Sequence, residues 1–131
     1  TFWDSFSKFE QLKLEQCGLG SNFIVDGTAG NLKGILKEKE SYEALGYDCA
    51  MIMVNLPTES ALLRNKERGA KGGRRLPDSV IRRTVDKIGP NKEPFQAAFD
   101  NFWLVDNTGT FEDYKVAIRK ISHEIERFLS Q

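Results

Sequence analysis

The sequence predicts an α/β fold in which helices cover both faces of a parallel sheet. Three short apolar runs are continuous rather than alternating with polar residues, which is typical of strands buried on both faces. Segments with helical spacing of apolar residues lie between and around these runs. This alternation indicates a layered, three-layer α/β/α fold with right-handed crossovers. The expected strands lie near residues 23–27, 49–55 and 102–106.

The composition bounds the class of protein. The chain has 131 residues, of which 40% are hydrophobic and 29% charged, and 19 basic side chains balance 19 acidic ones. This length suits a single domain over residues 1–131 that buries roughly two-thirds of its unfolded surface. The apolar content excludes a disordered chain, and the zero net charge argues against binding nucleic acid through bulk electrostatics.

The cysteine and histidine content and the hydropathy predict the compartment, the absence of a zinc site and the absence of a membrane span. Two cysteines are too few for a disulfide scaffold, so a reducing cytoplasm is the expected compartment. One histidine and no CxxC motif predict no metal site of the zinc type. No apolar run approaches the roughly 18 residues of a membrane span, so no membrane partner is expected.

The first three helices follow from apolar spacing and from end signals. The first carries apolar residues from Phe2 to Leu12 and ends before the glycines near residue 18. The second is expected over residues 32–45, with Gly46 as its C-terminal cap. The third follows a strand and begins near Thr58, whose hydroxyl is expected to cap it.

Two further helices are predicted after the basic segment in the middle of the chain. Pro77-Asp78 opens the fourth, which continues to Ile88. The last is the clearest, because Thr110 can cap its start and its apolar residues form one stripe. The members of this stripe are Tyr114, Ile118, Ile121, Ile125 and Phe128.

The densest chemical signal is a lid-like basic segment over residues 64–77. Its first twelve positions hold six basic residues and one acidic residue, a local charge of +5. Arg64 and Arg68 are four apart, so both point from one face of a helix, and arginine forks match phosphate oxygens. Three glycines then give hinge freedom, which suits a flap in phosphoryl transfer. The alternative, which composition alone favours, is a solvated basic loop at a helix end.

Polar segments follow two of the predicted strands, where binding groups gather in open α/β sheets. At Asp26-Gly27-Thr28 a carboxylate can orient a magnesium-bound water or a substrate hydroxyl, but Asp-Gly is also ordinary turn chemistry. At Asn107-Thr108 a base could be contacted, but an Asx-type turn into the last helix is the alternative.

Four segments occur in a recognisable order, and together they resemble a known superfamily. They are Phe23-Ile-Val-Asp-Gly-Thr28, Met51-Ile-Met-Val-Asn55, Leu63-Arg-Asn-Lys-Glu-Arg-Gly69 and Arg75-Leu-Pro77. The order and spacing resemble the P-loop kinase superfamily, in particular its polynucleotide-kinase and zeta-toxin-like branch, over about residues 20–110. The resemblance implies a partial P-loop NTPase-like fold. It also implies transfer of the γ-phosphoryl group of ATP, with Mg²⁺, to a hydroxyl of a nucleotide, polynucleotide or other small substrate.

The resemblance implies roles for individual residues as well. The catalytic residues would be Arg68, which would contact the transferring phosphoryl group, and Asp26. Cofactor binding would fall to Arg64, Arg68, Asn107 and Thr108. The residues that bind the substrate would be Asp26, Thr28, Lys71, Arg74 and Arg75.

One motif of the superfamily has no match in the sequence. No segment reads GxxxxGK[ST], the loop whose backbone amides and lysine hold the phosphates. We therefore expect the C-terminal two-thirds of a P-loop kinase-like domain, inactive alone and with no ATP or Mg²⁺ bound to it. The alternative is a non-catalytic interaction or assembly module with a degenerate form of this fold. Either way, self-association through the exposed sheet is expected.

Overall fold

The computed structural model describes residues 2–131, with side chains from residue 8 onward. The packing predicted for Phe2 therefore lies outside the described side chains. The elements, in chain order, are α1 (Phe2–Leu19), α2 (Leu32–Ala44), β1 (Ala50–Asn55), α3 (Thr58–Ala70), α4 (Asp78–Ile88), a 3-10 turn (Gly89–Asn91), α5 (Lys92–Ala98), β2 (Asn101–Asp106) and α6 (Phe111–Leu129).

Strands β1 and β2 form a parallel pair, in register from Ala50 beside Asn101 to Asn55 beside Asp106. The predicted parallel pairing of these two runs is confirmed. A parallel pair needs a long crossover connection, and α3, α4 and α5 supply it.

The strand predicted at 23–27 is wrong, because residues 21–28 have no regular secondary structure. A strand needs a neighbour to pair its backbone groups, and β1 and β2 pair only with each other in the described sheet. The side chain of Ile24 is 95% exposed, so its apolar run is not covered. Phe23 instead packs edge to face against Tyr42 and Tyr47.

Helices cover both faces of the small sheet, which confirms the predicted three layers. On one face, Met53 packs with Phe95 and Phe99 of the α5 region and with partly buried residues of α2. On the other face, Trp103 packs edge to face against Phe128 of α6, and its indole N–H donates a 2.6 Å hydrogen bond to Glu124. The five apolar residues of the α6 stripe are all partly buried, as predicted.

The helix ends follow the predicted signals with two exceptions, the first of which is that α1 continues through Gly18 to Leu19. Gly46 adopts φ +92° after α2, and its N–H donates to the Glu43 carbonyl, so it ends the helix as expected. Thr110 caps α6 in a capping box with Asp113. Thr58 is not the cap, because it is the first residue of α3, and Pro57 in the N-cap position makes no side-chain cap bond.

Two structural features had no counterpart in the sequence-based prediction. The first is α5, which follows the Gly89–Asn91 turn and contributes Phe95, the fully buried centre of the core. The second is Lys13, only 8% exposed, which joins α1 to α2 through ion pairs with Glu10 and Glu38. Burial lowers the pKa of Lys13, but the hydrogen bonds to the two glutamates outweigh it, and the pKa is raised.

Across residues 2–131, no helix combines the length and the apolarity needed to cross a membrane.

Candidate functional site

An open cavity of about 660 Å³ lies beside the carboxyl end of β2, and we call it the arginine cavity. Its walls come from α3, the turn after α3, the loop after β2 and the first turn of α6. The side chains that matter below are those of Arg64, Arg68, Lys71, Asn107, Phe111 and Tyr114. Cavities at the carboxyl ends of strands are where open α/β sheets bind ligands.

Helix α3 places its two arginines on the same side of this cavity, as their spacing predicts. The Arg64 guanidinium donates to the backbone carbonyls of Asn107, at 2.5 Å, and of Gly109, at 3.2 Å. Arg64 therefore ties α3 to the loop between β2 and α6. Part of its donor capacity is committed to main-chain oxygens rather than to a ligand.

Asn65, between the two arginines in sequence, is 2% exposed and organises the rim of the cavity. Its amide nitrogen donates to the Leu76 carbonyl at 2.7 Å, and its amide oxygen accepts from the Leu76 N–H at 3.0 Å. The same oxygen accepts a 3.2 Å hydrogen bond from Arg68. Asn65 lies in the segment 63–69 on which the family resemblance rests, but the sequence predicted no role for it. A buried amide in a strongly basic helix is the signal that could have found it.

The basic segment 64–77 is therefore a helix end folded back on itself. Helix α3 continues to Ala70, and the chain then reverses so that Leu76 returns to Asn65. Glycine is required at residue 73 because a Cβ there would lie 2.8 Å from Arg68 Cγ and 3.0 Å from the Arg68 carbonyl oxygen. The close approach of the Gly73 backbone to Arg68, and not only hinge freedom, explains why glycine occupies this position.

The loop after β2 is fixed by short-range hydrogen bonds. The Asp106 carboxylate accepts from the Thr108 N–H at 3.0 Å, which confirms the Asx-type turn. The Asn107 N–H donates to the Asn55 carbonyl at 3.0 Å and extends the parallel ladder by one bond. Backbone and hydroxyl hydrogen bonds from Thr110 hold the pKa of Asp113 below its usual value.

The predicted site residues fall into two groups. The arginine cavity brings together Arg64, Arg68, Lys71 and Asn107, whereas Thr108 lies exposed beside it and does not line it. Arg74 and Arg75 are exposed in the segment after α3 and do not line the cavity either.

Thr28 lies elsewhere, in a second cavity of about 370 Å³. This cavity is also lined by Asn31, at the start of α2, and by Arg83 and Lys87 of α4. Asp26 lies exposed in the 21–28 loop and lines neither of the two cavities. The structure therefore does not bring Asp26 and Thr28 together with Arg68 in one cavity.

Comparison with protein-family models matches residues 9–119 to the zeta toxin family. The chain belongs to the zeta toxin family. The match covers both strands, both cavities and the first half of α6. The predicted resemblance to this P-loop kinase-like branch is thus confirmed, and the helix-rich α/β fold with its small parallel sheet agrees with it. Neither the curated proteins nor the solved structures compared with the chain give a match.

The residues that line the arginine cavity fit an anionic ligand better than a metal ion. Three cationic side chains and one acidic one, Glu67, line the arginine cavity, which favours an anionic ligand. Among residues whose side chains are described, no group of three or more His, Cys, Asp or Glu could hold a metal ion. The described side chains therefore do not by themselves fit a Mg²⁺ ion.

Proposed function

We propose that this chain forms the arginine-bearing side of the nucleotide site in an ATP-dependent phosphotransferase. The observation that carries the proposal is the arginine cavity itself. It gathers Arg64, Arg68 and Lys71 at the carboxyl end of a parallel sheet, within the region that matches the zeta toxin family. The reaction would transfer the γ-phosphoryl group of ATP to a hydroxyl of a nucleotide, polynucleotide or other small substrate.

The two arginines would have different roles, Arg68 in contacting phosphate and Arg64 in positioning a loop. Arg68 is exposed and uses one nitrogen on Asn65, so its other donors can contact phosphate oxygens. Lys71 would add a flexible point charge at the same wall. Arg64, bonded to loop carbonyls, would position the loop that ends in Asn107 and Thr108. Phosphoryl transfer depends mainly on such positioning and on charge stabilisation.

The acceptor side of the proposal rests on the second cavity. Thr28 lines it, Asp26 lies in the adjoining loop, and Arg83 and Lys87 supply positive charge. Asp26 would orient the acceptor hydroxyl, and Thr28 would bind the acceptor. The exposed Arg74 and Arg75 would meet the substrate from the turn after α3.

A binding experiment tests the nucleotide side. Because no segment of the sequence reads GxxxxGK[ST], we propose that the phosphate-cradling loop comes from outside these 131 residues. The chain alone should then bind ATP only with millimolar affinity. Arg68→Ala should weaken this binding about fivefold in an NMR titration, as expected for an exposed charge-assisted contact. Low-micromolar ATP binding by calorimetry, or an unchanged affinity in Arg68→Ala, would contradict the proposal.

A rate measurement tests the catalytic role of Arg68. In a protein that contains this chain together with a GxxxxGK[ST] loop, Arg68→Ala should lower the phosphotransfer rate by about 10³-fold. Arg119→Ala is the matched control, because Arg119 is exposed on α6 and lines neither cavity. Equal rates for Arg68→Ala and the unmodified protein would leave Arg68 as a solvated surface charge.

A second candidate function is a non-catalytic assembly module, and a specific observation favours it. Ile52 and Val54 flank the buried Met53 in β1, so they share one face of the sheet, and they are 49% and 48% exposed. Apolar side chains exposed together on a sheet invite association. We propose that the chain self-associates through this surface. Light scattering should report a dimer or larger species that Ile52→Lys converts to monomer. A monomer at high concentration in the unmodified chain would argue against it.

A further inference from the structure

An aromatic pair at the start of α6, the exposed Phe111 and the partly buried Tyr114, opens onto the arginine cavity. Phe111 is the first residue of α6 and is 69% exposed. Its ring stacks with that of Tyr114, with ring centroids 6.4 Å apart and planes inclined by 21°. Residues three apart on a helix share a face, so Tyr114 supports the Phe111 ring from one side and the open, flat apolar surface is mainly that of Phe111.

The position of this pair relates it to the cations. Phe111 and Tyr114 line the same cavity as Arg68 and Lys71. A flat apolar surface beside a cationic wall matches a molecule with an aromatic ring at one end and negative charge at the other. We propose that Phe111 and Tyr114 form a stacking platform for the nucleobase of the nucleotide whose phosphates Arg68 and Lys71 attract. This inference rests on the proposed function and adds the residues that recognise the base.

Several hydrogen bonds hold the platform in place. The capping box of Thr110 and Asp113 fixes the first turn of α6, on which Phe111 stands. Arg64 holds the preceding loop through the carbonyls of Asn107 and Gly109. The start of α6 is thus anchored to α3, which also carries Arg68. A platform and a cationic wall fixed to each other in this way need little reordering when a ligand binds.

One neighbour competes for the platform. The Lys115 ammonium lies 4.8 Å from the centroid of the Phe111 ring and 3.4 Å from the Glu112 carboxylate. The Lys115 side chain is 44% exposed and flexible, so a base either displaces it or stacks on the open part of the ring.

The kind of recognition follows from the chemistry of the platform. Stacking on aromatic rings accepts any base, because every base has a π-face, and larger rings stack more strongly. We therefore expect adenine and guanine nucleotides to bind about equally, and both to bind more tightly than pyrimidine nucleotides.

An NMR titration of the 131-residue chain with ATP, GTP, UTP and inorganic tripolyphosphate tests the platform. ATP and GTP should bind about tenfold more tightly than tripolyphosphate, as one stacked base contributes. Their base protons should shift upfield under the ring current of Phe111. Phe111→Ala should abolish the advantage of ATP while leaving tripolyphosphate affinity unchanged. Phe111→Leu, which keeps apolar bulk without a ring, should behave as Phe111→Ala does.

The control variant is Leu129→Ala, which removes an exposed apolar side chain from the other end of α6. It should leave all four affinities unchanged. The stacking proposal is wrong if ATP keeps its advantage in Phe111→Ala, or if ATP never binds more tightly than tripolyphosphate. Neither result would contradict the proposed phosphate contacts of Arg68 and Lys71. If neither ligand binds, or if Arg68→Ala changes neither affinity, the proposed function fails as well.

Discussion

The arginine cavity and the 21–28 segment both carry residues predicted to act in phosphoryl transfer, but the protein holds them differently. In the cavity, Arg64 and Asn65 bind main-chain atoms of distant segments and fix the rim. In the segment, Tyr47 donates to the Ser21 carbonyl at one end, and the exposed Ile24 lies beyond it. The two arginines on α3 are found where the sequence predicts, whereas the 21–28 segment has no strand beside it and does not form the predicted strand.

The largest effect should come from Asn65→Ala. This variant leaves the Leu76 N–H and carbonyl without their partner, and we expect the free energy of unfolding to fall by about 2–3 kcal/mol. Chemical denaturation measures this change. Asn65→Asp keeps an acceptor for the Leu76 N–H, so its free energy of unfolding should lie between those of Asn65→Ala and the unmodified protein. Lys66→Ala, at the exposed neighbour, should change little, and an equal loss there would remove the special role of Asn65.

A smaller decrease in the free energy of unfolding is expected for Arg64→Ala. The variant removes two charge-assisted hydrogen bonds to the loop after β2, but the side chain is only partly buried, so we expect about 1–2 kcal/mol. Amide chemical shifts at Asn107 and Gly109 should move at the same time. Arg64→Lys should not restore them, because an ammonium cannot replace the planar fork. Unchanged shifts would mean that Arg64 does not hold the loop.

Thr110→Ala removes the N-cap of α6, and the free energy of unfolding should fall by about 1 kcal/mol, the usual cost of removing such a cap. The effect should depend on pH, because bonds from Thr110 lower the folded-state pKa of Asp113. A lowered folded-state pKa stabilises the fold above the unfolded value of about 3.8, and this stability is lost as the pH falls through the folded value. Denaturation between pH 2 and pH 6 should therefore show a weaker acid dependence in Thr110→Ala. An identical dependence would contradict the capping box.

The smallest effect is expected in the 21–28 segment. Ile24 is 95% exposed, so Ile24→Ser should change the free energy of unfolding by less than about 0.5 kcal/mol. Val105→Ser serves as the contrast, since Val105 is 1% exposed in β2. A loss above about 1 kcal/mol in Ile24→Ser would show that the segment is buried in solution, as a strand would be.

Local signals in the sequence were enough to predict most of the fold and one wall of the site. The spacing of Arg64 and Arg68, the Thr110 cap and the Gly46 helix end depend on neighbours a few residues away, and all three are confirmed. The prediction at 23–27 is wrong because an apolar run forms a strand only where another strand pairs with it. Helix α5 was missed because Pro90 and Pro94 break the helical pattern, although Phe95 buries completely.

The paired hydrogen bonds between Asn65 and Leu76 have a consequence for motion. The segment that returns from the end of α3 to Leu76 can lift away from the helix only if both bonds break. Opening is then a local unfolding event, rare at equilibrium and separate from unfolding of the core. The Leu76 amide hydrogen should exchange with solvent more slowly than those of the exposed residues around it. Its exchange rate would measure how often this segment separates from α3.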